Sequence, residues 1–240
     1  LPIDPSLFND PSQLLDQALV TTLVKTVAFY SDHRPMNPAE PLGAIPGIEL
    51  GVELSLIKMP DDLAPQLQRA GLGVGSSIPP SLPVPKLHLR KGLGRVDLGV
   101  SGTGIAYQSY LIAGADLQLL INRPEEGITS ALRLGYTVSR IQIVSSETWT
   151  PSVIFSRQLD YFFPYLGVGY QMGSGTVKVT YTEPLLGQSI TASKTGSARS
   201  LFAMLGTIFR FGPSGIILTL EGSYHQLGMA TLGAKFGLRF

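Results

Sequence analysis

Apolar and polar residues alternate along most of the chain, most clearly over residues 216–240. Ile216, Leu218, Leu220, Gly222 and Tyr224 fall on one face, and Ile217, Thr219, Glu221, Ser223 and His225 on the other. After a turn at Leu227-Gly228 the rhythm resumes, with Ala230, Leu232, Ala234, Phe236, Leu238 and Phe240 against Thr231, Gly233, Lys235, Gly237 and Arg239. Alternation of this length, with charges confined to one face, describes strands lying between an apolar medium and a polar interior. A soluble sandwich would use shorter strands and turn its polar residues outward.

The same period marks earlier strands. Residues 47–58 place Ile48, Leu50, Val52, Leu54 and Leu56 opposite Glu49, Gly51, Glu53 and Ser55. Further strands are expected near residues 86–90, 95–101, 107–121, 128–138, 149–159, 166–172 and 197–211. Residues 140–148 lose phase and read as a loop, as do the polar residues 183–196. Across Gly173-Ser174-Gly175 the apolar positions shift from even to odd numbers, continuing at Val177, Val179 and Tyr181. That shift is either a bulge or a hairpin. The expectation is an all-β fold, a transmembrane antiparallel barrel of about ten strands, or about twelve if the shift is a hairpin. Residues 59–85 hold a candidate short helix at 61–68 and read as an extracellular loop. The aromatic run 160–165 has the composition expected where a barrel meets lipid headgroups.

A helical period precedes the strands. Asp10-Pro11-Ser12-Gln13 has the form of a helix start, and an amphipathic helix is expected over about residues 11–30. Leu14, Leu15, Ala18, Leu19, Leu23, Val24, Val27 and Ala28 form its apolar stripe. It could pack in the barrel mouth, lie at the lipid interface, or contact neighbouring subunits. The stripe is wide for a plug in a charged lumen, which favours the last two, with Leu15, Leu19, Leu23 and Val27 as interface residues. Four prolines (Pro35, Pro38, Pro41, Pro46) make residues 31–46 a connector. The chain thus divides into an N-terminal segment, 1–46, and a barrel, 47–240.

The chain end sharpens the reading. Phe236, Leu238 and the terminal Phe240, at alternate positions, resemble the C-terminal signal of bacterial outer-membrane β-barrels. That resemblance implies insertion by the barrel-assembly machinery and a bacterial outer-membrane location, with any signal peptide already removed.

Composition agrees. The chain is only 15% charged, yet it has no run of about eighteen apolar residues that could form a transmembrane helix. It lacks cysteine, which excludes a disulfide framework and thiolate chemistry. A net charge of +1 and no basic run give no reason to expect nucleic acid.

The predicted lumen interleaves Glu49, Glu53, Asp97, Asp116 and Glu221 with Lys86, Arg90, Arg95, Arg133, Arg210, Lys235 and Arg239. In a narrow barrel such side chains pair and fill the interior. Glu221, Ser223 and His225 share one strand face and are the weak candidates for a catalytic trio, as used by outer-membrane lipid A deacylases. Neighbours on that face lie about 7 Å apart, long for the hydrogen bonds a triad needs. His33 and His88 lack companion ligands at metal spacing, so no metal or other cofactor is expected.

The N-terminal helix, Pro46-Gly47-Ile48-Glu49-Leu50-Gly51-Val52-Glu53, a long first loop and a terminal Phe together resemble the PopA-like porin-like proteins of predatory bacteria. That resemblance implies rings of small barrels that enclose lipid. The function expected is therefore a non-enzymatic, porin-like homo-oligomer with a largely filled lumen, its partners phospholipid or lipopolysaccharide. The alternatives are a narrow diffusion pore and a lipid-modifying enzyme.

Overall fold

The computed structural model describes residues 16–58, 81–105, 110–124, 127–141, 143–182 and 189–240. Ten antiparallel strands close into one barrel. They are β1 (Ile48–Lys58), β2 (Ser81–Gly92), β3 (Val96–Ile105), β4 (Tyr110–Asn122), β5 (Thr129–Ile141), β6 (Val144–Ser156), β7 (Phe162–Thr182), β8 (Ser189–Phe211), β9 (Ile216–His225) and β10 (Ala230–Arg239). Each strand pairs with its sequence neighbours, and β1 closes the ladder on β10. Closure leaves the sheet without an edge strand, the condition for it to sit in hydrocarbon.

The two faces of the wall differ as the alternation requires. Leu87, Leu205 and Leu232, on the outer face, are 67%, 68% and 63% exposed, while the residues between them turn inward. An outer surface this apolar is unstable in water and stable against lipid tails. Exposed aromatics flank it, with Tyr161, Phe162, Phe211 and Phe240 toward one rim and Trp149 and Tyr224 toward the other. Not all of the aromatic run 160–165 meets headgroups, however. Phe163 and Tyr165 are buried inside with Phe202, Met204 and Ile208, so β8 is apolar on its inward face as well.

Three expectations are corrected. The shift at Gly173-Ser174-Gly175 is neither bulge nor hairpin, because β6 and β7 keep one register from Val144↔Val177 to Ser156↔Tyr165. Ten strands stand, not twelve. Val177 faces inward throughout, and its apolar character answers a partner inside the barrel. Most of residues 140–148 is strand, with β5 and β6 separated only by residues 142–143. Residues 189–196 also belong to a strand, β8, rather than to a loop. The candidate helix 61–68 and most of the expected first loop lie outside the described residues.

The helix is the largest departure. It runs Gln17–Tyr30 (α1), starting later than expected, with Asp16 as N-cap accepting from the Ala18 amide at 3.1 Å. The expected cap Asp10 and interface residue Leu15 lie outside the described residues. The helix lies neither at the lipid interface nor on an outer surface: it is packed inside the barrel. Leu19, Val20, Leu23, Val24 and Val27 bury against the inward-facing Val144, Val177 and Ala192. Full burial of one such side chain stabilises by about 1.5–3 kcal/mol. The wide stripe fits because the wall facing it carries Val144, Val177 and Ala192, whereas the charged side chains lie nearer the rim where β1 begins.

Candidate functional site

From α1 the chain continues through the lumen as an irregular extended segment, residues 31–47, and enters β1 at the opposite rim. There Ile48 and Phe240 exchange backbone hydrogen bonds of 3.1 and 2.8 Å. Wall glycines line the path. A Cβ built on Gly173 would lie 2.6 Å from Ala28, one on Gly175 3.1 Å from Val24, and one on Gly233 2.6 Å from Met36. At Gly114 an added Cβ would collide with His33. These glycines are where the wall must come close to its guest.

The segment carries prolines and pairs with no strand, so its main-chain groups need partners elsewhere. Lumen side chains supply them. Lys86 donates to the Asp32 carbonyl at 2.6 Å, Lys235 to the Pro35 carbonyl at 2.6 Å, and Arg133 to the Asn37 carbonyl at 2.7 Å. The Gln118 amide donates to the carbonyls of Pro38 (3.0 Å) and Ala39 (3.2 Å). In the other direction Thr137 accepts from the His33 amide (2.8 Å), Ser156 from that of Ala39 (3.1 Å), and Asp97 from that of Leu42 (3.1 Å).

The charges are also paired with one another across the ladder. Glu49 faces Arg239 on β10 and Arg90 on β2, and Glu53 faces Lys235 and Lys86 on the same strands. The Glu49 carboxylate accepts from Lys235 Nζ at 2.7 Å and from Arg239 Nη2 at 2.5 Å. Glu53 Oε2 lies 2.5 Å from His88 Nε2, with Lys86 Nζ at 4.0 Å. His33 lies 5.6 Å from His88, ring to ring, and bridges Asp116 (Nε2 to Oδ1, 2.7 Å) and Ser101 (Nδ1 to Oγ, 2.5 Å). The Arg90 guanidinium stands 3.6 Å from Asp97 and 3.5 Å from Asp116. Each buried carboxylate therefore meets a cation or a donor, which offsets part of its burial penalty.

The expected lumen residues Glu49, Glu53, Lys86, Arg90, Asp97, Asp116, Arg133, Glu221 and Lys235 are all buried in the barrel interior. Arg95 is not among them: it sits on the exposed β2–β3 turn and donates to the carbonyls of Leu120 and Ile121 at 3.3 and 3.1 Å. Arg210 and Arg239 lie at the lower rim, and Arg210 stands over the Phe163 ring at 3.7 Å while pairing with Glu40. Sequence reading missed the other half of the network. Asp32, His33, Arg34 and Asn37 lie on a stretch whose prolines signal only a connector. Polar residues at inward strand positions, such as Gln118, Thr137 and Thr150, were the available hint that something polar fills the lumen.

Glu221, Ser223 and His225 share the inward face of β9, but the structure gives each a different partner. Tyr165 donates to Glu221 at 2.7 Å, Arg34 donates to Ser223 at 2.7 Å, and the His225 ring stacks between Phe29 (5.6 Å) and Phe202 (5.4 Å). None of the three bonds to another, so a relay from acid to histidine to serine is not assembled here. Among the described residues no group of three His, Asp or Glu side chains is arranged to hold a metal ion.

No protein-family model matches the chain, and no curated protein sequence matches it. Among solved structures it is similar to the N-terminal β-barrel domain of Pseudomonas aeruginosa OprF, at 11% identity over 79% of this chain and 97% of that one, with a TM-score of 0.34. Neisserial surface protein A is similar at 13% identity over 80% and 97%, TM-score 0.34. The Acinetobacter baumannii outer membrane protein Omp33 is similar at 8% identity over 80% and 97%, TM-score 0.35. The assignment of this chain as a transmembrane β-barrel rests on its own closed ladder and two-faced wall.

Proposed function

We propose that this chain is a non-enzymatic, porin-like barrel of the bacterial outer membrane, held shut by its own N-terminal segment. The observation that carries the reading is the row of buried lumen side chains bonded to the main chain of residues 32–42. An open diffusion pore would leave those donors to water. Here they hold polypeptide, and ion-paired neighbours fill the space beside it. Planar-bilayer recording tests this directly. The full chain is expected to show no steady open current, and lasting, salt-dependent conductance in the unmodified protein would overturn the proposal.

The outer wall favours a second reading, of a homo-oligomer that organises membrane phospholipid or lipopolysaccharide after insertion by the barrel-assembly machinery. Leu117, Leu134, Pro151, Val168 and Ala203 line an open apolar groove of about 850 Å³ on the lipid-facing side. With α1 inside, the apolar face of the helix is not free to contact another copy. Native mass spectrometry from mild detergent distinguishes the cases: a single oligomer rich in lipid supports this reading, and a lipid-poor monomer rejects it.

A further inference from the structure

The segment inside the barrel runs in one direction, and its two ends lie at different rims. One rim carries Phe240, the start of β1 and the short turns at residues 93–95 and 212–215. The other carries Ile143, between β5 and β6, and the turn at residues 226–229. Contacts follow the chain from the first rim to the second without reversal. Leu42 meets Gly92, beside the turn 93–95; Met36 meets Gly233; His33 meets Gly114; Ala28 meets Gly173. Above these, Val20 meets Gly196 and Val24 meets Gly175, and these two glycines are paired with each other across β7 and β8. Gly175 in turn pairs with Ser146, close to Ile143. Gln17, at the start of α1, donates to the Thr195 carbonyl at 3.2 Å, at that same rim. Phe240 and the start of β1 lie together at one rim, whereas Asp16 and Gln17 lie at the other.

The manner of holding matters as much as the direction. The wall contacts the carbonyls of Ala28, Asp32, Pro35, Asn37, Pro38 and Ala39, and the amides of His33, Ala39 and Leu42. A main-chain atom is offered by every residue, so these bonds are open to any extended polypeptide, whereas the bonds to the side chains of Asp32, His33, Arg34 and Asn37 are particular to this segment. A lumen evolved for small solutes would instead leave its charges facing water.

We propose that the lumen is a polypeptide-binding channel, gripping residues 32–42 through their main chain and carrying the segment from the Phe240 rim to Asp16 at the opposite one. The ligand class is extended polypeptide, and in this structure the ligand is the protein's own segment. The proposal rests on the closed-barrel reading only in that the segment occupies the lumen.

The chain contains no cysteine, so single cysteines report cleanly. Ala18→Cys marks the start of α1, Gln226→Cys the turn between β9 and β10, and Ser214→Cys the turn at the Phe240 rim. All three positions are exposed, which keeps the changes from disturbing the core. The full-length variants are assembled into the outer membrane of Gram-negative cells and treated with a membrane-impermeant maleimide, before and after the outer membrane is permeabilised. The expected result is that Ala18→Cys and Gln226→Cys react under the same condition, and Ser214→Cys under the other. Ala18→Cys reacting with Ser214→Cys, or reacting under neither condition, would overturn the channel. A barrel that is electrically closed but gives that pattern loses the channel and keeps the plug, whereas a conducting barrel loses the plug.

Main-chain recognition has its own readout, the maleimide reaction rate of a buried Met36→Cys in detergent. Adding Arg133→Met removes a wall donor to the Asn37 carbonyl and is expected to raise that rate about tenfold, as loss of a charged hydrogen bond implies. Adding Asn37→Ala, which removes a guest side chain but no main-chain atom, is expected to raise it less. The reverse ranking would overturn recognition through the main chain.

Discussion

The lumen has two halves that hold one continuous segment by opposite chemistry. Around α1 the wall is apolar, with Val144, Val177 and Ala192 against Leu19, Val20 and Val24. Around residues 31–42 it is charged, with Lys86, Arg133, Lys235 and Asp97 reaching for main-chain atoms. The difference follows the conformation of the guest. A helix satisfies its own backbone hydrogen bonds and asks its surroundings only for apolar contact. An extended, proline-rich stretch cannot do so, and its carbonyls and amides must be satisfied by the wall. The lumen charges are thus explained by an unpaired backbone more directly than by a passing solute.

Breaking the polar half is expected to cost most. Lys235→Met strips the Pro35 carbonyl and Asn37 of a donor and leaves Glu49 with Arg239 as its remaining close cation. Removing one partner of a buried pair costs about 3–5 kcal/mol, so a large drop in thermal unfolding temperature in detergent is expected. Loss of residual closure should appear in the same variant as bilayer current. A stability close to that of the unmodified chain would mean that the latch contributes little.

In the apolar half, Leu19→Ala opens a cavity beside Val144 and Val177, which by analogy with other cores costs about 2–4 kcal/mol. Because the polar latch below remains intact, unfolding temperature is expected to fall while the barrel stays electrically closed. An open current from this variant would show that the helix, not the latch, makes the seal.

Gly173→Val probes the boundary between the halves. A Cβ there would stand 2.6 Å from Ala28, and overpacking of this kind costs about 1–3 kcal/mol. It should be relieved by Ala28→Gly in the double variant, and absence of any rescue would place the helix elsewhere. The smallest effect is expected at the rim, where the Arg123 side chain is 53% exposed and donates to Glu40 at 2.9 Å. Surface pairs of this sort contribute at most about 1 kcal/mol, so Arg123→Ala should leave both unfolding and closure nearly unchanged.

Strand identity was legible because its signal is local. Period-two alternation around Leu50, Leu117 or Leu220 reports the two faces of a wall without reference to any distant residue. The lumen charges were legible for the same reason, but which of them pair across β1–β10 and β1–β2 was decided only by closure of the barrel. Arg95 misled because a turn residue can keep the parity of the strand beside it. Where alternation met residues facing a helix, as at Val177, the parity argument failed. An inward valine looks the same in sequence as an outward one.

The sequence by itself determined most of the strands, the two faces of the wall, the existence of a helix and the charges of the strand-borne lumen, since each depends on neighbours within a few residues. Only the tertiary structure decided where α1 goes, what His33 and Asn37 contact, and why Glu221, Ser223 and His225 do not meet. Those outcomes depend on which inward positions are glycine, valine or lysine at one level of a closed ring. Residues far apart in sequence share that level only once the barrel has closed.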